Sequence, residues 1–399
     1  MIVAEICSSK NYSKKYAMRS DLYDLLADRN DKFYFINCHF LVDNEKIDID
    51  IRNFKNKKIF FFHPKSYEEL NNFLKKNDIF LINNLSPKFY HLKIHLLISK
   101  KNIYQVTLDN LGEMSSYKLE NWEVVNLKKK FYYLYIKKLS FIFYRVLIFI
   151  RLLKPINKIF IARKDLEKKY KLRSNFFKSI FGQRYLKTQP IKPKFTLSQY
   201  TRSKDNKYIV FLDSNINHKD SISRGYVATK RMQIDYLKKL KDYLIEIAKV
   251  SKKKAIICLH PSSNLDLYRK YIKGIKIVKF KTEYYILKSF IVIFHDSSSV
   301  TSAFCLNKKI INLKSDHMGD YINKRSELYK NKVHLITHDL NNYHTKISES
   351  MIHTLQKNIK NQKNFMKKMF FLEKNYLHLN EAILNEIKVI KNNKSFNKD

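Results

Sequence analysis

Short apolar runs recur along the first half of the chain, each rich in β-branched or aromatic residues and bounded by polar ones. Ile2–Ile6, Phe33–Asn37, Ile59–Phe62, Ile79–Ile82 and Ile103–Leu108 have the length and composition of buried strands. Between them lie segments such as Ser66–Lys76, whose apolar residues fall at helical spacing. A further strand is expected at Lys158–Ala162. The same alternation restarts in the second half. Tyr208–Leu212 reads as a strand and Thr229–Val250 as a long amphipathic helix. Ala255–Leu259, Ile275–Phe280, Phe290–Phe294, Lys309–Leu313 and Val333–Ile336 read as further strands. Repeated strand–helix alternation predicts a parallel sheet with helices on both faces, here twice over.

The two series are separated by residues 187–207, a polar stretch holding Pro190 and Pro193 that cannot continue a helix and reads as a linker. Five segments follow. Residues 1–186 form a first domain, with a cationic and apolar helix near 128–154. After the linker comes a second domain at 208–345. Helices over 346–391 and a polar tail over 392–399 complete the chain. No internal repeat of 20–50 residues is present.

Composition narrows the function classes. Of 399 residues 45% are hydrophobic, enough for packed cores. The formal charge is +42, which implies polyanions, anionic membranes or strongly anionic substrates as partners. That charge is carried by 65 Lys and only 13 Arg. A nucleic-acid reader would favour the bidentate Arg fork, and no nucleic-acid motif occurs, so a nucleic-acid partner is not expected. With only five Gly, a Gly-rich dinucleotide fold is not expected. Cys7, Cys38, Cys258 and Cys305 are scattered and lack zinc-ligand spacing. With no signal-peptide pattern at Met1–Lys10, these features suggest a cytoplasmic protein with reduced thiols. The longest apolar run, Leu139–Leu153, is broken by Arg145 and Arg151 and is too short to span a bilayer. It reads either as an interfacial helix on an anionic membrane surface or as a buried helix whose cations snorkel.

Candidate chemistry gathers at the ends of the expected strands. His260-Pro261-Ser262-Ser263 follows Ala255–Leu259, so Pro261 stops the strand and holds the His260 imidazole at its mouth. A histidine there can donate to a phosphate and neutralise a leaving group, or simply cap a turn. His295-Asp296-Ser297-Ser298-Ser299 follows Phe290–Phe294 and precedes a helical segment. One serine would cap a helix, whereas Ser297, Ser298 and Ser299 together favour an anion site. Asp213 and Ser214 close Tyr208–Leu212, and Glu283 stands at a strand-to-helix turn; both places could meet donor or form ordinary turns. In the first domain, Ile103–Leu108 ends in Asp109-Asn110-Leu111-Gly112-Glu113. A carboxylate at a strand end can accept a hydroxyl proton, although Asp-Asn and Gly also build plain turns. A metal is not expected. Asp48-Ile49-Asp50 fits the solvated face of a strand, and His91 and His95 lack a third ligand nearby.

The His260-Pro261 pair with the Ser297–Ser299 run resembles the HP and SS motifs of bacterial sialyltransferases and polysialyltransferases. The resemblance covers about residues 208–340. It implies an α/β, GT-B-like fold of two Rossmann-like domains facing a central cleft, with C-terminal helices. It also implies an inverting, metal-independent enzyme without a cofactor, whose co-substrate is a CMP-activated sugar. By the same resemblance His260, Pro261 and two of the three serines contact the donor phosphate. The general base is then Asp109 or Glu113, in a motif that departs from the family's pair of acids followed by glycine. The same arrangement is similar to capsule polysaccharide transferases and to CDP-glycerol transferases of teichoic acid synthesis. The latter normally carry a His-Gly pair in the first domain, and this chain has none.

The expectation is therefore a cytoplasmic glycosyltransferase, peripheral on the inner face of the membrane. It would move a nonulosonic or keto-deoxy sugar from a CMP donor to a capsule, lipopolysaccharide or similar glycan or glycolipid acceptor. The alternatives are a CDP-glycerol-type or other nucleotide-donor transferase and, outside catalysis, a basic protein that binds membrane or nucleic acid.

Overall fold

A computed structural model describes residues 1–8, 12–30, 32–43, 56–101, 103–109, 139–168, 170, 187–193, 206–217, 222, 226–343 and 347–395. The chain divides into two compact units.

The first unit is built on a seven-stranded parallel sheet. Its strands are β1 (Ile2–Cys7), β2 (Phe33–Asn37), β3 (Ile59–Phe62), β4 (Ile79–Asn83), β5 (Tyr104–Asp109), β6 (Lys158–Ile161) and β7 (Thr188–Pro190), in the spatial order β3-β2-β1-β4-β5-β6-β7. Helices α1 (Tyr12–Asn30), α2 (His39–Asp43), α3 (Tyr67–Lys76) and α4 (Leu92–Ser99) connect the early strands. Helix α3 shows why such segments are helical. Ser66 Oγ accepts the Glu69 N–H at 3.1 Å, and Leu70 and Leu74 lie one turn apart on the buried side. Residues 139–149 form α5, which ends where Arg151 enters the left-handed region at φ 61 and the chain turns toward β6.

The second unit carries a six-stranded parallel sheet of β8 (Tyr208–Leu212), β9 (Lys254–Cys258), β10 (Lys276–Val278), β11 (Ser289–Phe294), β12 (Lys309–Lys314) and β13 (Ile336–Asp339), ordered β10-β9-β8-β11-β12-β13. Central strands such as Ile291–Phe294 are buried on both faces, which explains their unbroken apolar sequence. The helices are α6 (Lys230–Ser251), α7 (Leu265–Tyr271), α8 (Thr282–Leu287), α9 (Val300–Cys305), α10 (Gly319–Val333) and α11 (Glu349–Met369). Helix α6 buries Tyr236, Leu237, Leu240, Tyr243, Leu244 and Ile247, one stripe at helical spacing, against this core. Thr229 caps its start and Lys252, at φ 53, ends it.

Both sheets run 3-2-1-4-5-6 in their own strand numbers, the first with one strand more; each is a Rossmann-like arrangement. The α/β reading thus holds in both halves.

Five segments differ from expectation. The run expected as the strand Ile275–Phe280 pairs only over Lys276–Val278. Within the expected linker, Thr188–Pro190 pairs with β6, and Pro190 is tolerated because β7 is an edge strand. The last strand starts at Ile336 rather than Val333. Tyr329 and Val333 share a helical face that keeps them in α10, and His334 at φ 57 ends that helix. The expected polar tail is helical as far as Ser395, in α12 (Leu379–Ser395). The C-terminal helices do not form one block, since α11 belongs to the second unit and α12 to the first. There Glu386 on α12 accepts from Tyr104 Oη at 2.5 Å and pairs with Lys158, while Lys192 N–H donates to Leu377 O at 2.9 Å.

Candidate functional site

In the second sheet the chain leaves β8 toward β9 and β10, then returns to β11 on the other side. The switch point therefore lies between β8 and β11, the place where open parallel sheets bind ligands beyond their C-terminal strand ends. Leu212 is in register with Cys258 on one side and Phe294 on the other, so β9, β8 and β11 end level. The loops at Asp213–Asn215, His260–Ser263 and His295–Ser299 all leave this one edge. At ordinary strand spacing the outer two stand about 10 Å apart.

Asp213 holds the first two loops together. Its Oδ2 accepts the His260 backbone N–H at 3.0 Å and the Ser263 hydroxyl at 2.5 Å. Its Oδ1 accepts the Tyr268 hydroxyl at 2.7 Å and the Asn215 N–H at 3.0 Å. The residue is 4% exposed, so the two oxygens are taken by four protein donors. Burial, and then the charge of Asp213, push the Tyr268 phenol well above its ordinary range, which keeps it a donor. Asp213, read from sequence as a donor-binding residue, is thus placed to position its neighbours.

The His260 loop is a β-turn. Ser263 N–H donates to His260 O at 2.9 Å, with Pro261 at the position that its ring pre-sets. Within it, the Ser262 N–H donates to His260 Nδ1 at 3.2 Å, and Ser262 Oγ lies 2.7 Å from the same nitrogen. A backbone N–H can only donate, so the neutral imidazole carries its proton on Nε2. Asn215, left-handed at φ 57, adds a hydrogen bond to Ser262 Oγ at 2.9 Å. Lys279 Nζ donates to Ser263 O at 2.8 Å and reaches Pro261 O at 3.4 Å, which brings a cation to the turn.

Across the switch point, Ser214 Oγ accepts the Asp296 N–H at 3.0 Å and ties β8 to the serine turn. Behind that turn, Arg325 of α10 donates from Nε to Asp296 Oδ1 at 2.7 Å, and its side chain is 2% exposed. The His295 imidazole is fully buried between Leu313 O, 2.8 Å from Nδ1, and Tyr236 Oη, 2.9 Å from Nε2. A carbonyl only accepts, so Nδ1 carries the proton, and burial pushes the pKa down to about 4. Ser297, Ser298 and Ser299 are half-buried, and Ser299, at the N-cap position of α9, makes no side-chain capping bond. The hydroxyls are therefore not spent on the helix start.

The remaining sequence candidates fall elsewhere. Glu283 lies half-buried in the first turn of α8. Asp109 is the last residue of β5, placed by its backbone at the C-terminal edge of the first sheet. Glu113, Asp48 and Asp50 lie outside the described residues. His91 and His95 are both displaced downward by burial, His95 to about 4. Among the described residues no group of three His, Cys, Asp or Glu could hold a metal ion. No helix of the described residues is long and apolar enough to cross a membrane. The first unit also holds a cavity of about 160 Å³ lined mainly by apolar groups of Leu85, Phe141, Tyr144, Ile148 and Leu153. Its polar lining, His95, Ser99, Gln105, Arg145 and Lys154, includes no carboxylate.

Sequence reasoning missed Lys279, Tyr268 and Arg325. Lys279 is the last residue but one of the run expected as the strand Ile275–Phe280, next to the site, and could have been found there. Tyr268 and Arg325 sit on helices whose docking no local pattern reveals.

No protein-family model matches the sequence, and neither does any curated protein. Solved structures match in fold. The wall teichoic acid polymerase TagF is similar over 100% of this chain and 90% of its own, with a TM-score of 0.51 at 12% identity. A variant of the same polymerase gives 0.53 at 13% identity, with the same coverage. At such identity the likeness is one of fold, and that fold is GT-B-like, two Rossmann-like domains in one chain.

Proposed function

We propose that the chain is an inverting, metal-independent glycosyltransferase that moves a sialic-acid-like sugar from a CMP donor to a surface glycan. The observation that carries this reading is the joining of the His260 turn and the Ser297–Ser299 turn on one sheet edge by Asp213 and Ser214. The donor phosphate is placed between them. His260 Nε2–H and the serine hydroxyls donate to its oxygens, and Lys279 supplies positive charge.

The acceptor hydroxyl oxygen attacks the anomeric carbon as the bond from that carbon to the phosphate oxygen breaks. The bonding pair leaves with the phosphate as CMP. The hydroxyl proton passes to a carboxylate, for which Asp109 is the first candidate and Glu113 the second. A single displacement inverts the anomeric centre.

Thermal unfolding in the presence of CMP, CDP, UDP and GDP tests the donor class, because a ligand that binds only the folded state raises its stability. CMP is expected to protect most. His260→Ala should lower turnover about 100-fold or more with unfolding unchanged. Near-normal turnover in that variant would overturn the mechanism.

One second reading is the CDP-glycerol-type transferase that the sequence resemblance also implies, and the fold likeness to a wall teichoic acid polymerase agrees with it. Stronger protection by CDP than by CMP would select it. The absence of a His-Gly pair supports sugar transfer instead.

A further inference from the structure

Helix α5 is apolar on both sides. Ser140, Tyr144 and Leu147 face inward and are buried, and Tyr144 Oη donates to Lys88 O at 2.8 Å. Ile142, Phe143, Val146 and Phe149 recur at helical spacing on the opposite side and are 39–56% exposed. An outward apolar face of this kind is unusual, since a helix hydrophobic all round is ordinarily buried. The face continues onto a second segment. Phe89 and Tyr90 are about half exposed, and the Phe89 ring lies 5.5 Å from that of Phe143.

Its charge identifies the partner. Residues 84–101 and 139–157 hold seven Lys and Arg and no Asp or Glu. Arg151 and Lys154, just past the helix, are exposed. An apolar face whose own two segments carry only cations complements hydrocarbon beneath anionic headgroups. A second copy of the chain would instead bring the same cations face to face across a two-fold axis. We propose that this face docks on an anionic phospholipid bilayer. Ile142, Phe143 and Val146 enter the boundary between headgroups and acyl chains, and Arg151 and Lys154 lie among the lipid phosphates. The inference stands apart from the donor chemistry of the second unit.

Co-sedimentation of the full chain with vesicles tests it. Binding is expected to vesicles of phosphatidylcholine with about 30 mol% phosphatidylglycerol, to fall in high salt, and to be weak on phosphatidylcholine alone. Ile142→Glu with Val146→Glu should weaken binding about 10-fold or more at an unchanged unfolding temperature. Should that variant misfold, Arg151→Glu with Lys154→Glu, two exposed changes, should abolish the preference for anionic vesicles. Equal binding by wild type and variants would overturn the proposal, as would no binding to anionic vesicles. So would a wild-type dimer that the glutamate variant converts to monomer, since a second copy would then cover the face.

Discussion

Asp213 Oδ2 accepts the backbone N–H of His260 at 3.0 Å, so a side chain at the end of one strand fixes the main chain at the end of the next. Asp213→Asn puts a donor where an oxygen accepts two others, leaving those two without their acceptor. The expected cost is about 1–3 kcal/mol of stability, with weaker nucleotide binding. Denaturant unfolding and a nucleotide titration on the same variant check both. Unchanged nucleotide affinity would show that the turn does not need this carboxylate.

Arg325 and Asp296 form a buried ion pair directly behind the serine turn. Removing either partner strands the other, at an expected cost of about 3–5 kcal/mol. Arg325→Met combined with Asp296→Asn should cost clearly less than the sum of the single changes. A double-mutant cycle by urea unfolding measures that coupling, and strict additivity would deny it.

His295 gives a pH dependence whose sign follows from its burial. Folded, it stays neutral down to about pH 4, whereas the unfolded chain takes up the proton at its ordinary value. The stabilising contribution is complete above about pH 6.5 and declines toward pH 4, with a slope of up to ~1.4 kcal/mol per pH unit. His295→Gln should flatten the curve between these limits, although its stability at neutral pH will be lower. Urea unfolding at several pH values across that range distinguishes a flattened curve from a parallel one.

Phe280 follows Lys279 with a left-handed φ of 60 and is 70% exposed. A bulky exposed side chain in that conformation is strained, and glycine would remove the strain. Phe280→Gly should leave stability equal or raise it by about 1 kcal/mol. Nucleotide affinity should fall if the ring stacks on the donor base, and calorimetric titration reads that change directly.

The strands were legible because a sheet buried on both faces needs continuous apolar runs. Phe33–Asn37, Ile59–Phe62 and Tyr208–Leu212 begin and end where their composition changes. The His260 turn was legible because Pro261 marks it. The role of Asp213 was not, because its donors lie 47, 50 and 55 residues downstream and meet it only once the sheet forms. Arg325 was hidden for a related reason. On a lone amphipathic helix an arginine belongs in solvent, and only the carboxylate of Asp296, 29 residues away, draws it inside. Thr188–Pro190 escaped notice because a three-residue edge strand holding a proline has the composition of a loop.

Helix α12 completes the sheet unit that β1 begins, although all of β8–β13 is translated in between. During synthesis the second unit therefore has every one of its strands before the first has its final helix. Until Glu386 arrives, Tyr104 and Lys158 lack their carboxylate and the side of the sheet that α12 covers stays bare. The earlier-made half should consequently be the later to mature, and the one that leans on chaperones in the interval.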